Sequence, residues 1–431
     1  MALAPVSIAI VGAGARGRAY ARRAAAHPDV ASVIAVAEPR PEYRAQFCLE
    51  HNVAKGMQFA SWEDLAARPP LADAVVIATP DALHVEPAVA LADLGYAILL
   101  EKPMAPTEAG CRAVVDAVHR TGVLLAVGHV MRYTPYTRAL KAELDAGRIG
   151  EVMSVQHLEP VGYWHFAHSY VRGNWRNEAE SSFLLLAKSC HDLDWIRFVV
   201  GHACRRVSSF GSLSHFTATD APPGAGERCV DCVVEPSCPY SAVRFYRRAV
   251  ADPDLRYWVE VVTSDVSAEG VERALRDGPY GRCVYASDND VVDHQVVAIE
   301  FAGGQTAVFT LAAFTPVARR QTRLFGTRGF IEGDGRRLRC FDFLTETTEV
   351  IDTAPSGSGL ASGGHGGGDE RLLLAFVDAV RRGDPSRIDT TPDEILESHL
   401  MAFAAERSRR EGRTVELMTN FGADGPAPTP G

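Results

Sequence analysis

No stretch of the chain approaches the ~20 consecutive apolar residues that a bilayer crossing needs. Its opening, MALAPVSIAIVGAG, runs straight into strand-like residues and a glycine turn. Neither an export signal nor a membrane anchor is therefore expected. Positive charge is also short. Lys and Arg number 44 against 54 Asp and Glu, giving a net charge of −10 with no long basic run, which argues against a nucleic-acid partner. Cysteine is sparse, nine in 431 residues, too dilute for a disulfide scaffold and compatible with a reducing cytoplasm, the expected compartment. What remains, 47% apolar and 23% charged residues, is the balance of an ordinary globular protein and excludes disordered, fibrous and coiled-coil classes. The length suits two domains, and small-molecule chemistry is the expectation.

From residue 6 to about 130, short β-branched runs alternate with amphipathic stretches, the pattern of a doubly wound α/β sheet covered on both faces. Strands are predicted at 6–11, 33–37, 74–78, 97–100 and 123–127, and helices at 16–26, 41–50, 84–94 and 107–119. The first strand leads into Gly12-Ala13-Gly14-Ala15-Arg16-Gly17, which is G-x-G-x-x-G at a strand-to-helix junction. Glycine there permits the tight turn, lets the backbone approach a pyrophosphate, and lets the helix pack closely on the strand. The orphan N–H groups of the helix start receive the anion. Glu38 follows Gly17 by 21 residues at the end of the second strand, where a carboxylate takes the ribose hydroxyls. It favours NAD by repelling the 2′-phosphate of NADP, whereas Arg40 offers a compensating cation, so NADP stays open. In such sheets ligands lie at the carboxyl ends of strands, so Thr79-Pro80-Asp81-Ala82-Leu83-His84 and Glu101-Lys102-Pro103 are expected to face the cofactor.

Glu101-Lys102-Pro103 resembles the E-K-P signature of the glucose-fructose oxidoreductase and inositol dehydrogenase (Gfo/Idh/MocA) family. So do AEPR at 37–40, TPDALH at 79–84, VGHVMRY at 127–133, CHDLDWIRF at 190–198 and GHGGGDE at 364–370. The resemblance covers residues 6 to about 417 and implies a Rossmann dinucleotide-binding domain (1–135). A C-terminal α/β domain (136–418) with a large, mostly antiparallel, open-faced sheet should follow; the Pro, Ala and Gly-rich end, 419–431, is expected to be disordered. Long strand-like runs at 151–161, 207–216, 291–301, 305–314 and 322–331, with few helices between them, agree with that layout. An open sheet face implies a homodimer or homotetramer, and the family implies sugar, polyol or cyclitol substrates.

Residues 181–201, SSFLLLAKSCHDLDWIRFVVG, read as an apolar helix. A histidine in such a helix is by itself most often a core residue; the resemblance instead makes His191 the proton acceptor, a role suited to imidazole. The family pattern has an aspartate four residues earlier, where this chain has Ala187, with Lys188 adjacent. Lys188 reads equally as a substrate contact or a solvated side chain, and Asp192 and Asp194 as supports. Lys102, beside the nicotinamide, is expected to donate to the reacting hydroxyl and stabilise the alkoxide, with Glu101 fixing the lysine or touching the nucleotide. In the aromatic loop 163–176, the resemblance puts Trp175 and Arg176 near the nicotinamide, and His165, His168 and Arg172 towards substrate. His365 and Asp369 fall by the mouth of the site.

Cys229, Cys232 and Cys238, with Cys283 as a fourth, read as a structural zinc site, as free buried thiols, or as disulfides. Three functions remain open on this reading. They are an NAD(P)-dependent dehydrogenase of a sugar, amino sugar or cyclitol; an NAD-dependent glycosidase working by transient oxidation and elimination; and a non-catalytic dinucleotide sensor.

Overall fold

The apolar runs of the first 130 residues form six parallel strands: β1 (Val6–Val11), β2 (Ala31–Ala37), β3 (Gln58–Phe59), β4 (Ala74–Ile77), β5 (Ala97–Leu100) and β6 (Leu125–Val127). In the computed structural model, which describes residues 4–353 and 366–417, their order is β3-β2-β1-β4-β5-β6. Every residue of β4 and β5 is buried, as expected of strands with helices on both faces. The order reverses between β1 and β4, which opens a crevice at their carboxyl ends. Glycine is required at this point. Gly12 has φ +93°, and a Cβ there would stand 2.6 Å from the Ala78 carbonyl oxygen.

The second sheet contains β7 (Val152–Pro160), β8 (Cys204–Ser212), β9 (His294–Phe301), β10 (Thr306–Ala312) and β11 (Gln321–Gly326). It continues through β12 (Gly329–Gly333), β13 (Arg337–Asp342), β14 (Thr348–Asp352) and β15 (Val415–Glu416). The order is β14-β13-β12-β11-β7-β10-β9-β8-β15, antiparallel throughout except β7 against β10. Residues 322–331, read as a single run, fold instead as the β11–β12 hairpin. One face buries Val155, Val297, Ile299, Phe309 and Leu324 beneath the Leu184–Val200 helix. The other leaves Phe210, Val296, Val308 and Val350 exposed.

Two features depart from a simple two-domain division. Residues 213–293, between β8 and β9, carry the helices Ala242–Ala251, Arg256–Val262 and Ala268–Asp277 around their own small core of Phe245, Tyr246, Val259 and Leu275. This corrects the expectation of few helices after residue 136. The Gly368–Arg382 helix then returns to the first domain, packing Leu372, Phe376 and Val377 with Ile8, Val36 and Val76. The Pro392–Glu411 helix lies between the sheets, with Ile395 and Leu396 in the core of the first and Met401 and Ala405 in that of the second. Residue 135 thus separates the sheets but not all of their cover. His365 and residues 419–431 lie outside the described residues. Among the described residues, no helix is long and apolar enough to cross a membrane.

Candidate active site

At the glycine turn, a Cβ on Gly17 would stand 1.9 Å from the Gly12 carbonyl oxygen, so the third glycine is required by close helix–strand contact. At Gly14 the nearest atom to a Cβ is Arg40 Nη2 at 3.9 Å, which leaves that side of the turn open. This is the cradle a dinucleotide pyrophosphate needs, and the residues fit it. Glu38 is buried and accepts from the Ala13 amide at 2.8 Å and from Arg40 Nε at 2.7 Å and Nη2 at 2.9 Å. Burial opposes its ionisation, but these hydrogen bonds prevail and hold the carboxyl below its ordinary range. Acid and compensating cation are thus one bidentate pair, and Arg40 also lies 3.8 Å from the Tyr43 ring centre.

Arg16 joins the turn to the E-K-P segment. Its Nε donates to Glu101 at 2.7 Å and its Nη2 to Asp369 at 2.6 Å, and Arg23 lies 3.5 Å from Asp369. Burial alone would raise the Glu101 pKa, but the Arg16 charge lowers it. Arg16 and Glu101 therefore fix the crevice wall, and Asp369, at the start of its helix, ties the returning C-terminal segment to it. His84 is fully buried and bridges two strand tails, with Nδ1 2.8 Å from the Pro103 carbonyl and Nε2 3.0 Å from the Thr79 carbonyl. Thr79 and Pro80 stay at the open edge of the crevice.

Lys102 reaches across from the first domain and donates from Nζ to the Ala187 carbonyl at 2.8 Å. Ala187 and the buried His191 share the Leu184–Val200 helix one turn apart, so lysine and histidine lie on one side of the interdomain cleft. Beneath them a charged network runs through the second domain. Lys188 Nζ lies 3.0 Å from Glu159, which lies 3.0 Å from Arg320; Arg320 Nε is 2.5 Å from Asp192, and His157 Nε2 is 3.0 Å from Asp192. Burial alone would raise the Asp192 pKa, but Arg320 and His157 hold it well below the ordinary range. Asp194 is bound by Arg132 at 2.7 and 2.8 Å and lies 2.9 Å from His129 Nδ1. The two aspartates are supports, and Lys188 points inward to an acid rather than to bulk solvent.

The aromatic loop divides into two parts. His165 is driven well below its ordinary pKa by burial, then by the nearby charge of Lys188, which places it beside the network. Tyr170 is buried there and Trp175, 36% exposed, stands 6.1 Å from its ring. The other three loop residues contact the 213–293 segment. His168 accepts or donates at 2.5 Å with Tyr246 and stacks 4.8 Å from Tyr280, both in the 213–293 segment. Arg172 donates to the carbonyls of Arg282 at 2.7 Å and Tyr240 at 2.8 Å. Arg176 is bidentate to Asp288 at 2.9 and 3.0 Å. All three hold the insertion to the loop. Glu159, Arg320 and Tyr170 belong to this buried network and were not singled out from the sequence.

Cys229, Cys232, Cys238 and Cys283 line a common cavity, and none of the four is in a disulfide. Elsewhere, His129, Cys190 and His399 bring ligand atoms within 4.8 Å of one another. His399 has no lone pair to spare for a metal, because Nε2 accepts from the Met104 amide at 2.9 Å while Nδ1 faces the Ile395 carbonyl at 2.8 Å.

Comparison with known proteins agrees with this architecture. Residues 6–129 match the oxidoreductase family with an NAD-binding Rossmann fold, and residues 141–417 match that family's C-terminal alpha/beta domain. The oxidoreductase YteT of Bacillus subtilis (strain 168) is 26% identical over 330 residues, 72% of this chain and 74% of the relative. The inositol 2-dehydrogenase of Streptomyces avermitilis is 32% identical over 206 residues, 47% of this chain and 55% of the relative, so the chain spans about half of that enzyme's length. A levoglucosan dehydrogenase structure in complex with NADH and levoglucosan superposes with a TM-score of 0.70 at 19% identity, covering 96% of this chain and 100% of that one, which shows the shared fold. The chain belongs to the Gfo/Idh/MocA oxidoreductase family, with an NAD-binding Rossmann domain.

Proposed function

We propose that the protein oxidises a secondary alcohol of a sugar, amino sugar or cyclitol, with NAD preferred over NADP. The observation that carries this reading is the Lys102–Ala187 hydrogen bond, which holds the ammonium one helical turn from His191 at the carboxyl edge of the NAD-binding sheet. Bound NAD supplies the hydride acceptor. Lys102 donates to the reacting hydroxyl and offsets charge as it becomes an alkoxide, and His191 takes the hydroxyl proton. Lys188, Glu159 and Arg320 offer donors and acceptors to neighbouring hydroxyls, while Tyr170 and Trp175 offer ring faces to the apolar side of a sugar.

A panel of free sugars, amino sugars, cyclitols and aryl glycosides, followed for NADH absorbance and aglycone release together, tests this function. NADH formed in proportion to product supports the dehydrogenase. Aglycone release without net NADH would replace it by a glycosidase working through transient oxidation, and no turnover with any member would leave a sensor as the better reading.

The exposed face of the second sheet, with Phe210, Val296 and Val308 on neighbouring strands, supports a homodimer or homotetramer. Light scattering on the purified chain reads this directly, and a monomer at micromolar concentration counts against it.

A further inference from the structure

The 213–293 insertion gathers four thiols from separated stretches of chain. Cys229 opens the short turn Cys229–Asp231, Cys232 follows that turn, and Cys238 follows a second one, Glu235–Ser237. Cys283 is brought to the first turn by the bridge between Arg228 and Arg282. All four side chains line one cavity of about 10 Å³, room for a single water-sized body. Cys229 and Cys283 are buried, and Cys232 and Cys238 half-buried. Cys229-x2-Cys232 has the spacing of a metal-binding cysteine pair.

A buried cation points to the same place. Arg172, on the aromatic loop, donates to the carbonyls of Arg282 and Tyr240 and, from Nη2, to Cys229 Sγ at 3.5 Å. Among the described residues no Asp or Glu forms an ion pair with it. A buried charge without a counter-charge is costly, and the group it faces here is sulfur. Four thiolates around one divalent cation leave surplus negative charge, which a guanidinium offsets. The Gly226 amide donates to Cys232 Sγ at 3.3 Å. Burial raises the Cys238 and Cys283 thiols, and the Tyr240 and Tyr285 amides, each two residues past its cysteine, oppose that shift. Donors aimed at sulfur in this way support metal-bound thiolates.

Cavity size and ligand chemistry select the ion. A cluster of several metal atoms exceeds so small a space, and hard cations such as calcium and magnesium take oxygen ligands. Four sulfurs suit zinc, which holds each at about 2.3 Å and so draws them in to about 3.8 Å from one another. Zinc also binds such a site more tightly than ferrous iron. A tighter trio, His129, Cys190 and His399, brings three ligand atoms within 4.8 Å of one another. Both ring nitrogens of His399 are already engaged, however, by the Met104 amide and the Ile395 carbonyl.

We propose that Cys229, Cys232, Cys238 and Cys283 bind one structural zinc ion, with Arg172 as its buried counter-charge, and that this centre fastens the insertion to the aromatic loop. Its consequence for the active site is positional. Beyond Arg172, the insertion meets the same loop where Phe245 stacks 4.4 Å from Trp164, and where Trp258 packs 4.7 Å from His165 and 4.9 Å from His168. Four sulfur ligands leave no open position on the ion, so it takes no part in hydride transfer. This inference rests on neither the substrate nor the cofactor reading above.

The test is elemental analysis of the full chain, purified without chelator and again after incubation with zinc and desalting. The expected result is about one zinc per chain, without iron or acid-labile sulfide, released by an organomercurial that blocks thiols. Cys238→Ala and Cys283→Ala should each lose most of the zinc, and Cys48→Ala, in a helix of the first domain, should retain it. Arg172→Met should raise the zinc Kd about 10- to 100-fold in competition with a chromogenic chelator, the usual loss when a partner of a metal ligand is removed. Protein without zinc in both preparations overturns the proposal, as does iron in its place or zinc that stays bound after the thiols are blocked. An unchanged Kd in Arg172→Met overturns the role given to that residue. Stoichiometry and organomercurial release are read on wild-type protein, so poor folding of a variant does not blunt them.

Discussion

Lys102 donates from Nζ to the backbone carbonyl of Ala187, 2.8 Å away, at the position where the family pattern carries an aspartate. A carboxylate there would form an ion pair with the ammonium and consume much of its charge. A carbonyl dipole positions the lysine and leaves most of its charge for an alkoxide developing nearby. The methyl of Ala187 is buried, so the substitution is accommodated by packing as well.

Lys102→Met and His191→Ala are each expected to lower kcat by a factor of about 10² to 10⁴, the range for removal of a positioned acid or base. NAD affinity should hardly change, because neither side chain belongs to the glycine turn or the Glu38 pair. Steady-state kinetics beside a direct NAD titration separates the two effects. A His191→Ala protein turning over near the wild-type rate would hand the proton to another group, with His165 and Lys188 the nearest candidates.

The Glu38–Arg40 pair makes a second expectation. The carboxylate repels a 2′-phosphate while the guanidinium attracts one, and the buried acid, with hydrogen bonds from both Ala13 and Arg40, is the better fixed of the two. Wild-type protein should bind NAD more tightly than NADP. Glu38→Ala should narrow that gap by freeing Arg40, and Arg40→Ala should widen it. Fluorescence titration with both cofactors reads all three, and tighter NADP binding by the wild type would show that Arg40 governs the pocket.

The first domain was legible because its signals are local. Strand β1, the glycine turn and the acid closing β2 are fixed by neighbours along the chain, and helix ends such as Thr107 and Gly122 carry their own caps. Strand β3 escaped because two residues show no period, whereas the β11–β12 turn at Thr327-Arg328 lies between Gly326 and Gly329, a turn signal inside the run 322–331. Glu159 left a trace that went unread: in β7, Val155, His157 and Glu159 alternate inward, so a charge already lay on a core-facing register. Its partner Arg320 is unreadable without the fold. The resemblance places His168 and Arg172 towards substrate, and their contacts with Tyr246, Tyr240 and Arg282 of the insertion are not readable without the fold.

The Lys188–Glu159 pair sets a third expectation. Both groups are largely buried, and removing Lys188 leaves Glu159 with Arg320 alone, a cation it shares with Asp192. Lys188→Met should raise KM for the sugar or cyclitol about tenfold or more while NAD affinity stays within about twofold, as for loss of one charged hydrogen bond to substrate. An unchanged KM for the best substrate found in the panel would assign Lys188 to support of Glu159 and Arg320 alone.

Stability should fall as the solution is acidified, starting well above the carboxylate range. Burial lowers His399 to about 3, with the His129 charge adding to that effect and the Ile395 carbonyl and Asp194 opposing it. A proton on Nε2 would also break the bond from the Met104 amide. His168 is likewise lowered to about 3 by burial and then by Arg172. In the unfolded chain both titrate near about 6.5, so between pH ~6.5 and ~3 the unfolded state binds more protons than the folded one. Their stabilisation is therefore complete above about 6.5 and is lost progressively below it, at up to ~1.4 kcal/mol per pH unit for each histidine. Asp192 and Asp194 are lowered too, but an unfolded aspartate titrates near about 3.9, so they add to the loss only in the more acid part of the window. Urea denaturation midpoints between pH 7 and 5 isolate the histidines. His168→Gln should reduce the slope by one histidine's share, and a midpoint that stays level or rises on acidification would show that neither ring is held neutral by the fold.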